Sequence, residues 1–180
     1  MKKIILAFVL SLSLTLSFFS CSKMKVQDFE QKQPVFTPEQ FFLGKTIGTG
    51  QFWDRFKNLS LSFRVELEGK WDGSILTLDE VLIYDSGEKF TRQYIIKKID
   101  QNNYTLNSSD LAEEGQIQAY GNSLKWSYYL NQEIDGKIVK LYFDDWMFLQ
   151  PNSIVINRAF AQKFGLDVGE VVMFIQKIDK

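Results

Sequence analysis

The chain has no histidine, one cysteine and three prolines in its 180 residues. Without histidine it lacks the usual general base, the commonest transition-metal ligand and any Ser-His-Asp triad. With Cys21 as its only thiol it can form no intramolecular disulfide, so stability must come from packing. Charge of one sign is missing too: 21 basic residues face 22 acidic ones, the net charge is −1, and the lysines are scattered. That excludes the concentrated basic face that binding to a nucleic-acid backbone requires. No metal, no cofactor and no nucleic-acid partner is therefore expected, and no catalytic residue stands out. What is abundant is apolar surface, with 45% hydrophobic and 15% aromatic residues, enough for the core of a single domain.

The first residues carry a processing pattern. Lys2 and Lys3 precede an apolar run over 4–19 broken only by Ser and Thr, which reads as an export signal. It ends at Ser20-Cys21, a small residue before the only Cys, as at the cleavage site of bacterial lipoproteins; Phe18 stands where Leu is usual. An ordinary secretory signal with an incidental Cys, or an uncleaved anchor, is the alternative. The expected organisation is a signal peptide over 1–20, a lipidated Cys21 opening a flexible tether over 21–36, and a β-barrel domain over 37–180. Ser22 rather than Asp after the Cys points to the periplasmic face of the outer membrane, with the membrane itself as partner through the lipid. The protein partner is left open.

Thr37-Pro38-Glu39-Gln40 is a helix start with a stop at Gly44, predicting one short helix. From Thr46 the period becomes two. Leu59, Leu61, Phe63, Val65 and Leu67 alternate with Ser60, Ser62, Arg64, Glu66 and Glu68, a one-sided strand. Further strands are separated by Asp72-Gly73, Ser86-Gly87, Gly121-Asn122 and Asp135-Gly136, residues that tolerate the positive φ of hairpin turns. Successive hairpins leave a meander barrel or a sandwich, and the long strands favour the barrel. The expected fold is all-β: an antiparallel up-and-down, lipocalin-like barrel of about eight to ten strands. A second short helix is expected at Ala159–Phe164, before the last strand, and Gly48 and Gly50 are suited to a bend where the sheet closes.

The motifs Phe143–Met147 (FDDWM), Ile156–Ala159 (INRA) and Lys163–Val171 (KFG…GEV) resemble a family of Gram-negative lipoproteins known as a domain of unknown function. Gly50–Phe56, Glu68–Gly73, Leu76–Glu80, Tyr84–Glu88 and Gly121–Trp126 resemble the same family in the same order. The resemblance implies a lipoprotein and carries no established activity with it.

The remaining chemistry lies in a few charged residues on apolar strand phases. Asp144 and Asp145 are strand neighbours whose side chains leave opposite faces, so they cannot form a catalytic dyad. Asp145 shares a face with Leu141, Phe143 and Met147 and is expected to be the buried one; Asp144 is expected nearer solvent. Arg92 falls with Phe90, Tyr94 and Ile96, Arg158 with Ile154 and Ile156, and Glu80 with Leu76, Leu78 and Leu82. One reading makes the arginines structural partners of Asp145 and Glu80 in a filled barrel, an envelope structural or interaction module. The other, which gives the expected function, makes Arg92 or Arg158, with Tyr94, Tyr128 and Trp126, the anchor for the head group of a lipid or similar amphipathic ligand bound inside the barrel, the filled barrel being the alternative. A carboxylate-dependent enzyme is a third.

Overall fold

The computed structural model describes residues 23–134 and 136–178, so Cys21 and the leader lie outside the described residues. Ten antiparallel strands close into a barrel. They are β1 (Gly44–Asp54), β2 (Leu59–Trp71), β3 (Ile75–Tyr84), β4 (Lys89–Lys98), β5 (Asn103–Asn107), β6 (Gly115–Tyr120), β7 (Ser123–Ile134), β8 (Lys137–Gln150), β9 (Ile154–Lys163) and β10 (Leu166–Lys177). Each strand pairs with its neighbour in sequence, and β1 closes the ring on β10 with Thr46 opposite Lys177 and Gly50 opposite Met173.

Alternation decides what faces where. On β2, Phe63, Val65 and Leu67 are buried in the barrel while Arg64, Glu66 and Glu68 stand exposed on its wall. An apolar inside and a charged outside is the reverse of a barrel that spans lipid. The glycines of β1 make room more than they bend the strand. A Cβ at Gly50 would lie 2.5 Å from the Phe63 ring, and one at Gly48 would lie 2.8 Å from a Val65 methyl. Two large side chains from β2 thus fill the interior across the seam.

An up-and-down barrel has two unlike ends. At one, the helix α1 (Pro38–Phe41), the only α-helix among the described residues, starts at Thr37, as the sequence indicates, and drives Phe36, Phe41 and Phe42 into the barrel mouth. Phe41 and Phe42 meet edge to face at 5.0 Å, and Phe42 meets Trp126 at 6.2 Å. Glu39 locks the plug by accepting from Lys98 Nζ at 2.5 Å and from the Tyr104 hydroxyl at 2.9 Å. At the other end the five tips β1–β2, β3–β4, β5–β6, β7–β8 and β9–β10 project. Interior residues Leu61, Leu82, Tyr84, Phe143 and Met173 are there only partly buried.

Two expectations need correcting. Ala159–Phe164 is no helix; residues 159–163 continue β9 and Phe164 lies in the turn that follows, with Ala159 and Ala161 buried and Phe160 on the outer side. Alanine favours a helix intrinsically, but facing the crowded interior it serves as a small inward residue, and the ladder to β8 and β10 overrides propensity. The described part of the presumed tether is also docked. Residues 23–36 form a strap on the outer wall, with a 3-10 turn over Val26–Phe29 and Val26 fully buried. Phe29 packs on Phe148 at 5.2 Å and on Trp146 at 6.4 Å. The Phe36 amide donates to the Gly121 carbonyl at 2.8 Å, and a Cβ at Gly121 would sit 1.8 Å from the Phe29 carbonyl. Glycine is needed at 121 for this approach as well as for the turn.

Candidate functional site: a polar cluster inside the barrel

The register of β3 on β4 sets Glu80 opposite Arg92, both on inward phases. Arg92 Nε and Nη2 reach Glu80 Oε1 at 2.9 and 2.8 Å, and Nη1 reaches Asp110 Oδ2 at 3.0 Å. Asp110 comes from the β5–β6 loop, where the Ser108 hydroxyl donates to its other oxygen at 2.6 Å. The guanidinium also lies 4.7 Å from the Tyr94 ring. Burial opposes the charge of Arg92, but Tyr94, Glu80, Tyr128 and Asp110 outweigh it, so it is held firmly as a cation. Burial likewise raises the Tyr94 and Tyr128 hydroxyls far above the usual phenol range.

Asp145 projects inward from β8, opposite Trp126 on β7 and Ala159 on β9. Its partner is neither arginine. The Asn157 side-chain amide donates to Asp145 and, at 3.1 Å, to the Trp146 carbonyl. Burial pushes the Asp145 carboxyl up to about 7; the Asn157 bond resists, the Asp144 charge adds to the rise, and Arg92 and Tyr128 offset part of it. Asp144 does point outward, yet it is no nearer solvent: both aspartates are 6% exposed. The strap and Lys125 cover it, with Lys125 Nζ at 3.1 Å and Lys23 Nζ at 3.7 Å.

The structure therefore brings together Arg92, Glu80, Tyr94 and Trp126, with Tyr128 and Asp145 in the same interior. Trp126 meets Tyr94 edge to face at 5.9 Å, and Tyr128 stacks on Phe143 at 5.2 Å. The Trp126 indole nitrogen is buried without a protein partner. Arg158 is elsewhere. It shares a face with Ile154 and Ile156, but that is the outer face of β9, where its side chain is 56% exposed, pairs with Glu170 and lies 4.7 Å from the Phe160 ring. An interior anchor at Arg158 is excluded by this placement. Sequence reading missed Asp110 and Asn157. Asn157 sits in phase with Val155 and Ala159 and was findable by alternation; Asp110 lies in a loop, where no periodicity points to it.

Chemically, the guanidinium is already met by two carboxylates, and the third, Asp145, shares the interior. An incoming carboxylate or phosphate would face excess negative charge. Among the described residues, surface depressions of about 210 Å³ over β5–β6 and about 200 Å³ beside Asp54, Lys57 and Glu170 are found outside this cluster. No group of three or more metal-ligating side chains occurs among the described residues.

Comparison with known proteins adds family and fold. Residues 15–177 match the family described as "Protein of unknown function (DUF3833)". No curated protein matches. Among solved structures, the chain is similar to a protein of unknown function from the DUF3598 family of Nostoc punctiforme, with a TM-score of 0.56 at 12% identity over 82% of this chain. The chain spans 51% of that protein's length, and the likeness concerns the barrel alone.

Proposed function

The chain belongs to the family of unknown function DUF3833, and from that premise we propose an envelope lipoprotein that works through its outer surface. In this reading it is acylated at Cys21, sits at the periplasmic face of the outer membrane, and uses the barrel interior as a packed core. The observation that carries it is the saturation of Arg92 by Glu80 and Asp110 toward the unplugged end, while Phe36, Phe41 and Phe42 fill the opposite mouth. A carrier of anionic lipid needs a free cation at the end of an apolar channel; here the cation is spent on structure.

The carrier reading keeps one observation in its favour, the partly buried Leu61, Leu82, Tyr84, Phe143 and Met173 at the unplugged end. These could seat an apolar or hydroxyl-bearing ligand more readily than an acid. Enzyme chemistry has least support, since Asp144 and Asp145 lie on opposite sides of the wall and Asp145 faces an amide.

Displacement of an environment-sensitive fluorescent fatty acid, alongside lipid extraction and native mass spectrometry of protein taken from its own envelope, separates these readings. We expect no saturable probe binding and no co-purified lipid inside the barrel. Stoichiometric lipid that survives removal of detergent, or tight probe binding lost in Tyr84→Ala, would establish the carrier instead.

A further inference from the structure

We infer that one arc of the unplugged end, the tips of β7–β8, β9–β10 and β1–β2, is a membrane-contacting rim that seats in the interface of a phospholipid bilayer. The sheet order makes these three hairpins adjacent around the barrel. Their tips hold out Phe164 (95% exposed), Leu166 (72%), Phe56 (70%) and Ile138 (68%). Phe164 even takes a left-handed backbone, φ 53°, which a bulky side chain adopts at a cost. Apolar side chains isolated on the tips of three neighbouring hairpins have no core to join, whereas a bilayer interface accepts all of them at once.

The charges specify the occupant further. Arg55 stands 4.6 Å from the Phe56 ring and Lys163 stands 5.6 Å from the Phe164 ring. A long cationic side chain beside an inserted ring can reach the phosphate level while the ring goes deeper. By sequence, the segments 54–57, 133–137 and 163–167 hold Arg55, Lys57, Lys137 and Lys163 against Asp54, Glu133, Asp135 and Asp167, so apolar insertion rather than net attraction must dominate. The other two tips carry Asp85, Glu88, Glu113 and Glu114 against Lys89, with Asp110 already paired to Arg92, a mainly acidic arc that anionic head groups repel. The barrel is thus biased to lean on its apolar side.

The strap leads the same way. Lys23 lies against Asp144, which is opposite Phe160 on β9. Phe164 is four residues further on, about 13 Å along the strand. The first described residue of the strap, Lys23, thus lies on the half of the wall toward the β9–β10 tip rather than toward the plug. This orientation rests on the acylation proposed above; the rim itself does not.

The test uses the chain from Ser22 onward, free of both the apolar leader and acyl groups, in flotation with vesicles of phosphatidylcholine and of phosphatidylethanolamine with phosphatidylglycerol. We expect binding to both, little changed by salt. The rim variant Phe56→Ser/Ile138→Ser/Phe164→Ser/Leu166→Ser should lose roughly a hundredfold in partitioning. A wall variant, Ile156→Ser/Phe174→Ser, removes exposed apolar groups elsewhere and should float like the wild type. Thermal melts check that both variants fold. Absence of wild-type flotation, equal loss in the wall variant, or binding only to anionic vesicles and abolished by salt would each overturn the rim. So would sedimentation showing a wild-type oligomer that the rim variant dissolves, since the arc would then be a contact between copies. Failure of acylation shows separately, as absence of lipid on Cys21 of the full chain with flotation of the chain from Ser22 intact.

Discussion

Replacing Arg92 with Leu leaves Glu80 and Asp110 facing each other in the interior, and breaking a buried ionic cluster by removing one partner typically costs about 3–5 kcal/mol. Arg158 makes a pair that is half in water, and Arg158→Leu should cost about 1 kcal/mol or less. Urea unfolding of the two variants checks this; equal midpoints would contradict the placement. Asp145 gives a pH signature. Below about 3.8 both folded and unfolded chains hold the proton, while from there to about 7 only the folded chain does, so stability falls as pH rises through this window and is level above it. Asp145→Asn should flatten that slope and, at pH 8, gain up to roughly 4 kcal/mol over wild type, less whatever its amide fails to satisfy. Chemical denaturation at pH 5 and pH 8 reads the effect, and a slope that persists in the variant assigns it to another group. Much of this was visible in strand phase: Arg92, Glu80 and Asp145 all face inward as alternation requires. Arg158 misled because β9 carries Ile154, Ile156 and Phe160 on its outer wall, where an apolar phase does not mean an interior one. The Asp145 partner was hidden because an amide in an apolar phase carries no charge to draw notice.

At the level of elements, hairpins were legible because their glycine-bearing turns are local, whereas the strap was not. Residues 23–36 have no periodicity, and what holds them is tertiary: Phe29 on Phe148, and Phe36 on Gly121. Phe29→Asp should release the strap while leaving the barrel closed, seen as rapid tryptic cleavage at Lys25 and Lys32 with an intact core fragment. Unchanged cleavage would mean that the strap is held by other contacts. The plug is different in kind, since Phe42 lies in the main core; Phe42→Ala should cost about 3–5 kcal/mol in unfolding free energy. The failed helix at Ala159–Phe164 teaches the complementary lesson. Two alanines read as helical only until their neighbours across the ladder, Asp145 and Phe143, show that small residues were needed there.

For the whole molecule, strand count and order followed from sequence, but a filled interior depends on how side-chain volumes meet across the ring, as Phe63 does over Gly50. The anchor belongs to this scale too. Metabolic labelling with a clickable palmitate analogue should mark the wild type and not Cys21→Ser; equal label on both would remove the lipoprotein reading. The closing contact of β1 with β10 also has a consequence in time. Every other pairing joins strands adjacent in sequence, so the sheet can grow hairpin by hairpin, while this one waits on the largest loop in the chain. Until β10 is made, β1 presents a free edge, the kind of template on which chains aggregate. Gly48 and Gly50 make it a poor template, because glycine weakens a strand that is not yet held from both sides. The barrel thus closes late, only once β10 is available to pair with β1.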